Sequence, residues 1–263
     1  MKSSLKNISF LSLGSVFLLA VAGIISGLGG KIVYYLAFIL PVLAYALYFK
    51  KDKVKPLKFY TGRGQIALFT PLVFPAISLI ILTSALTSLV LLLFGKENGA
   101  SLDTGLFVAI LDKALLPAVL EEALYRYVII SMLLPFSKKG AVLYSALFFA
   151  LAHCDLFQIP YAFVAGLIFA AIDVAFDSVL PSLILHFLNN SVSVLWIFYF
   201  SQHELAFIIP LALLSVISII FIVIFREKYK QLLSSLKGGE LAYSLAVTVF
   251  IGVTLFVAVS ALL

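Results

Sequence analysis

Apolar residues run along this chain in blocks, several of them eighteen residues or longer, separated by short polar or Gly/Pro-bearing stretches. A block of that length crosses a hydrocarbon layer of roughly 30 Å as a helix. The alternating polarity of a membrane β-strand is absent. The pattern predicts an all-α, polytopic transmembrane bundle of about eight or nine helices. They fall near 8–28, 32–49, 65–95, 106–135, 141–157, 159–176, 179–200, 205–225 and 241–263. The third and fourth are long enough to require tilt, a kink or an interfacial extension. The fifth and sixth are short and meet between Cys154 and Pro160, where either is open to a break. Pro117, Pro160, Pro181 and Pro210 lie inside or at the ends of spans, where a proline frees a carbonyl or starts a helix.

Composition strengthens this reading. Of the 263 residues 63% are hydrophobic and 11% charged, well away from the balance of a water-soluble domain. The chain reads as one integral membrane domain over 1–263, and the loops 50–64 and 226–240 are too short to fold alone. A single cysteine, Cys154, excludes an intramolecular disulfide and a cysteine zinc cluster. The net charge of +6 reflects orientation rather than a nucleic-acid partner, since Lys and Arg collect in cytoplasmic loops. With the N-terminus in the cytoplasm, fourteen of the eighteen basic residues fall inside, Lys31 and Lys96 fall outside, and Lys113 and Arg126 lie within a span. The localisation expected is multi-pass, in the plasma membrane of a prokaryote. Lys2 and Lys6 before the first block resemble a signal peptide, but its length favours an uncleaved helix.

Against that background the ionisable residues inside spans stand out, because each costs about 2.5–3.5 kcal/mol on insertion scales. The fourth span carries Glu121, Glu122 and Arg126 in Leu120–Tyr127, with Lys113 two turns earlier. Glu122 and Arg126, four residues apart, share a helical face and can pair. Glu121 is rotated about 100° away and has no such partner. His153 follows Phe149 by four residues, and His186 precedes Asn190 by four and Asn189 by three. A lone membrane histidine is more often an interhelical hydrogen bonder than a catalyst. Two histidines, paired glutamates, an arginine and an asparagine on three spans point instead to a polar pocket in hydrocarbon.

Other features carry ordinary explanations. His203 sits in a solvated loop, and Asp103-Thr104-Gly105 matches an aspartic protease motif by chance. Asp173 and Asp177 end the sixth span and face interfacial water. Ala162, Gly166 and Ala170, like Gly23 and Gly27, are spaced for close helix packing. No HExxH is present, which argues against a zincin.

The three clusters, in order, resemble the CPBP family, which contains the type II CAAX prenyl endopeptidases and the bacterial Abi-type proteins. Its pattern is EExxxR, then FxxxH, then HxxxN or HxxxD. Glu121, Glu122 and Arg126, Phe149 and His153, and His186 and Asn190 match all seven positions, within a core of 106–200. The resemblance implies hydrolysis of a peptide bond in a membrane-associated or lipidated peptide or protein, with membrane lipids as the other partners. It assigns Glu121 as general base and His153 as positioning the attacking water. His186 and Asn190 would stabilise the oxyanion, Glu122 and Arg126 would orient the site, and Phe149 would pack beside the histidine. Two mechanisms stay open: a divalent metal such as zinc held by Glu121, His153 and His186, or direct activation of water by glutamate. The second is slightly favoured, because the same helix positions serve as base and oxyanion donors. Two other functions compete, a non-catalytic binding or immunity protein that retains the pocket and, behind it, a proton-coupled transporter. The hydrolase reading needs a cavity that reaches all three motifs from one side of the membrane, and straight helices place them at unequal depths.

Overall fold

The structure, a computed structural model, describes residues 2–25, 27–49, 56–59, 62–93, 104–155, 158–200 and 208–227. Among these the chain forms eight helices: α1 (Lys2–Ile24), α2 (Gly27–Ala44, continuing as a π-helical turn over Tyr45–Phe49), α3 (Arg63–Leu93), α4 (106–133), α5 (Lys138–Leu151), α6 (Ile159–Phe176), α7 (Leu180–Phe200) and α8 (Ile208–Ile224). The all-α expectation holds, while the ninth span expected at 241–263, and His203, lie outside the described residues. Four segments are long and apolar enough to cross a membrane, Lys6–Ile24, Gly27–Leu47, Ile159–Phe176 and Leu180–Tyr199. The protein is an integral membrane protein. Helix α1 packs along α2, α5 along α6, α3 against α8 and α6, and α7 against the first half of α4.

Three local departures from the expected spans shape the site. The first is the return from α1 to α2, expected between 28 and 32 but found at 25–27. Gly27 takes a φ of +65°, and Gly30 is already helical. A Cβ on Gly30 would strike the carbonyl oxygens of Ile25 and Ala22, so its bare backbone lets α2 begin against the end of α1.

The second is α4, one continuous helix whose α-helical turns are interrupted by π-helical segments at Ile110–Leu115 and Ala123–Ile130. Pro117 lies two residues beyond the first of these. Its ring cannot donate a hydrogen bond and would crowd the preceding turn, and the widened segment absorbs both effects.

The third is α5. Its 14 residues span about 21 Å, less than the roughly 30 Å of hydrocarbon. The helix ends at Leu151, and Cys154 turns the chain with a φ of +49°. The short fifth span therefore breaks near Cys154, three residues after the last helical one.

At the opposite end of the bundle the segment 56–59 clamps two elements. The Lys58 N–H donates to the Asp177 carbonyl at 3.2 Å, and the Val179 N–H donates to the Lys58 carbonyl at 2.8 Å. The Leu57 N–H donates to Ser131 Oγ near the end of α4 at 3.0 Å. Asp177 sits at the surface in a 3.1 Å ion pair with Lys58. Asp173 corrects the expectation that both aspartates face interfacial water, because it is fully buried. The turn from α6 to α7 folds Ser182 back over it, so its carboxylate accepts the Ser182 N–H at 3.0 Å and Oγ–H at 2.6 Å. It thus caps the first turn of α7, where backbone N–H groups lack helical partners.

Candidate active site

Helix α4 delivers Glu121, Glu122 and Arg126 at the junction between an α-helical stretch and the second π-helical segment. Arg126 is completely buried and its Nε lies 3.1 Å from Glu122 Oε2, without the alignment of a hydrogen bond. The pairing expected from the four-residue spacing is present. The guanidinium is held from two further sides. Its Nη1 donates to Ser145 Oγ at 2.8 Å, and Ser145 Oγ donates to the Tyr125 carbonyl at 2.9 Å. Its carbon lies 4.7 Å from the centre of the Phe149 ring and 5.9 Å from that of Phe169, within cation–π range.

Helix α7 brings His186 to the other oxygen of Glu122. Its Nδ1 lies 2.8 Å from Glu122 Oε1, and a carboxylate can only accept, so Nδ1 carries the hydrogen. The ring stacks on Phe169 at 5.3 Å and meets the edge of Phe149 at 5.4 Å. These contacts fix its plane and leave Nε2 at 3.9 Å from Glu121 Oε2. Glu122 therefore bridges Arg126 and His186, and Glu121 stands on the far side of the imidazole.

Glu121 differs from its neighbour in its surroundings. Its Oε1 accepts a hydrogen bond from the Tyr34 hydroxyl on α2 at 3.2 Å. Its Oε2 is buried and has no hydrogen-bond partner among the described residues. His153 lies in the turn after α5. Its Nδ1 is 3.0 Å from the Phe149 carbonyl, which can only accept, so Nδ1–H donates and Nε2 keeps a lone pair. The His153 and Phe149 rings meet edge to face at 5.3 Å. Phe149 is thus the hinge of the cluster, touching Arg126, His153 and His186 at once.

Glu121 and His153 both line a cavity of about 610 Å³, along with Tyr34, Tyr35, Asp112 and Cys154. His186 stands behind Glu121 rather than in the cavity wall. Asn190, one turn beyond His186, is half-buried, and its Oδ1 accepts from Asn189 Nδ2 at 3.3 Å. No described contact joins Asn190 to Glu121, His153 or His186. Six of the seven motif residues are therefore brought together, and the seventh lies one turn away on the same helix.

Among the described residues no three His, Cys, Asp or Glu side chains are gathered as a set that would hold an ion. Glu121, His153 and His186 do not fit a three-donor site as placed.

Three contributors were invisible to motif reasoning. Tyr34 is the polar member of an apolar second span, and the Tyr34-Tyr35 pair was a signal that could have been read. Ser145 and Phe169 carry no such signal, since a serine or phenylalanine in an apolar helix has many uses.

A buried carboxylate with one unpartnered oxygen beside a cavity is equipped to take a proton from water. The immobilised imidazole behind it supplies a second polar edge, and His153 a third. Residues 103–192, which contain all seven motif positions, match the family model described as type II CAAX prenyl endopeptidase Rce1-like. Comparison with curated proteins and with solved structures gave no match. Over residues 103–192 the chain is therefore similar to the Rce1-like type II CAAX prenyl endopeptidases.

Proposed function

We propose that this protein is an intramembrane endopeptidase that cleaves a peptide bond in a membrane-associated or lipidated substrate with a glutamate-activated water. The observation that carries the reading is Glu121, a cavity-lining carboxylate with one oxygen held by Tyr34 and the other without a hydrogen bond among the described residues. A water at Oε2 gives up a proton to the carboxylate as its oxygen attacks the substrate carbonyl. His153, through its Nε2 lone pair, accepts the water's other hydrogen and so aims it. The carbonyl π electrons move to oxygen, and the oxyanion is met by donors on α7. For His186 this requires a proton on Nε2 in addition to the one that Glu122 binds at Nδ1. Asn190 would supply the second donor through its amide nitrogen, its oxygen being engaged by Asn189. Collapse of the intermediate breaks the C–N bond, and Glu121 returns its proton to the leaving amine. Glu122 and Arg126 hold the imidazole in place. A positioned general base contributes typically 10²–10⁴-fold to rate, and one oxyanion donor about 10²–10³-fold.

The test is incubation of the purified protein, and of Glu121→Gln and His153→Ala variants, with a library of apolar and lipidated peptides in proteoliposomes, read by mass spectrometry with and without a chelator. Cleavage by the wild type and its loss in both variants is the expected outcome. Retained cleavage in both variants overturns the proposal, and loss of wild-type cleavage on chelation overturns the metal-free route. A binding or immunity function would instead survive both substitutions. The proposed setting is a prokaryotic plasma membrane with the N-terminus in the cytoplasm, by the bias of its basic loops.

A further inference from the structure

The cavity lies at one end of the bundle, and that end is the one poor in positive charge. Its rim is built from Ile25 and Gly27 in the turn between α1 and α2, Asp112 and Lys113 near the start of α4, and Cys154 in the turn after α5. Chain direction places these at the end opposite the clamp formed by 56–59, Ser131 and the turn 177–179. The clamp end carries the basic residues. Among the described residues Lys6, Lys58, Arg63, Lys138, Lys139 and Arg226 lie there, whereas the cavity end has Lys31 and Lys113. Short loops rich in Lys and Arg stay on the cytoplasmic side.

The length of α5 points the same way. At about 21 Å it falls roughly 9 Å short of the hydrocarbon thickness. It starts at the basic end, at Lys138, so a helix of this length leaves the turn carrying His153 and Cys154 short of the far boundary of the hydrocarbon. The cavity is lined by that turn through His153 and Cys154, and by Leu19 and Phe38 on the apolar side.

We propose that the cavity opens to the extracytoplasmic side, and that its occupant is an apolar peptide segment of an exported or membrane-anchored protein presented there, not a cytosolic tail. The substrate clause rests on the hydrolytic reading above, whereas the orientation does not. Cys154 is the chain's only cysteine, is exposed, and lines the cavity, so it serves as a native reporter. Intact cells are treated with a membrane-impermeant maleimide, with Lys138→Cys in a Cys154→Ala background as the counterpart at the basic end. Cys154 is expected to label from outside, and the Lys138→Cys variant only after permeabilisation. Labelling of Cys154 only after permeabilisation, or not at all until denaturation, overturns the orientation. In proteoliposomes sorted by orientation, an apolar peptide substrate is expected to be cleaved only when added on the Cys154 side, and prior maleimide treatment is expected to slow cleavage at least tenfold. Cleavage from the Lys138 side overturns the substrate clause. Correct labelling with no cleavage of any peptide from either side keeps the orientation and overturns the hydrolytic reading alone.

Discussion

Glu121 and Glu122 are adjacent and both buried, yet the structure gives them different work. Glu122 is saturated by opposite charge and a donor, with Arg126 at one oxygen and His186 at the other. Removing Arg126 strands a carboxylate in the core, and breaking a buried pair by deleting one partner is worth about 3–5 kcal/mol. Arg126→Ala is therefore expected to lower the thermal midpoint of the detergent-solubilised protein by several degrees along with its activity. Glu121→Gln keeps the shape and the Tyr34 contact, so it is expected to leave the midpoint within about a degree and remove activity alone. Thermal denaturation of the two variants side by side checks the contrast. Tyr34 belongs with Glu121: its hydroxyl fixes Oε1, and a hydrogen bond to a charged group is worth about 1.5–3 kcal/mol. Tyr34→Phe is expected to lower kcat/KM about tenfold or more with normal abundance in the membrane. An unchanged kcat/KM would show that the contact does not position the base.

Helices set how far such residues can be trusted to meet. The crossing of α5 and α6 is tight at Gly166, where an added Cβ would lie 3.0 Å from Ala146 Cα and 3.1 Å from Phe149 Cδ1. Ala146 Cα is backbone and cannot yield, and Phe149 is the ring on which Arg126, His153 and His186 all rest. Gly166→Leu is expected to cost about 1–3 kcal/mol and to abolish cleavage, with Gly166→Ala between it and the wild type. Melting and cleavage assays on the pair check this. At the start of α7, Asp173 accepts two hydrogen bonds from Ser182, one turn before His186. Asp173→Ala leaves the Ser182 N–H unpaired in a buried place, at a cost of about 1–3 kcal/mol, and is expected to lower the melting temperature. These are also the elements where sequence reasoning had least purchase. The small-residue spacing at Ala162, Gly166 and Ala170 announced a close helix crossing, but not that it would seat Phe149. Asp173 at the end of an apolar block looks like an interfacial aspartate, because nothing local shows that Ser182, nine residues on, folds back over it. The π-helical segments around Pro117 and after Glu122 have no reliable residue signature, since they are set by packing along the whole of α4.

For the molecule as a whole, length and apolarity determine most of what can be known in advance. Uninterrupted apolar blocks must become helices because hydrocarbon offers no partner for backbone N–H and C=O groups. That rule placed α3, α4, α6, α7 and α8 within a few residues; it overran the end of α5, and it failed at the return into α2 because a glycine pair reads equally as a loop or as a close approach. Five residues of the cluster were legible because charge and imidazole are costly in lipid, which makes each a signal, and Phe149 only through its spacing from His153. Asn190, a smaller polar group, is the one whose place beside the others was not found. The N-terminal pair of helices, outside the matched segment 103–192, proves to wall the cavity and to hold Glu121 through Tyr34. The family-matched segment is therefore expected to be inactive when expressed without 1–49, and activity to return when 1–49 is supplied as a separate chain that reassembles with it.

The central claim is that Glu121 delivers a water to a peptide bond. Cleavage of a defined peptide substrate in H₂¹⁸O by the wild type and by Glu121→Gln tests it directly. The account predicts one ¹⁸O in the newly formed carboxylate with wild-type protein, and a rate at least 100-fold lower in the variant at an unchanged thermal midpoint. Cleavage by Glu121→Gln at the wild-type rate, with the same ¹⁸O incorporation, would contradict it.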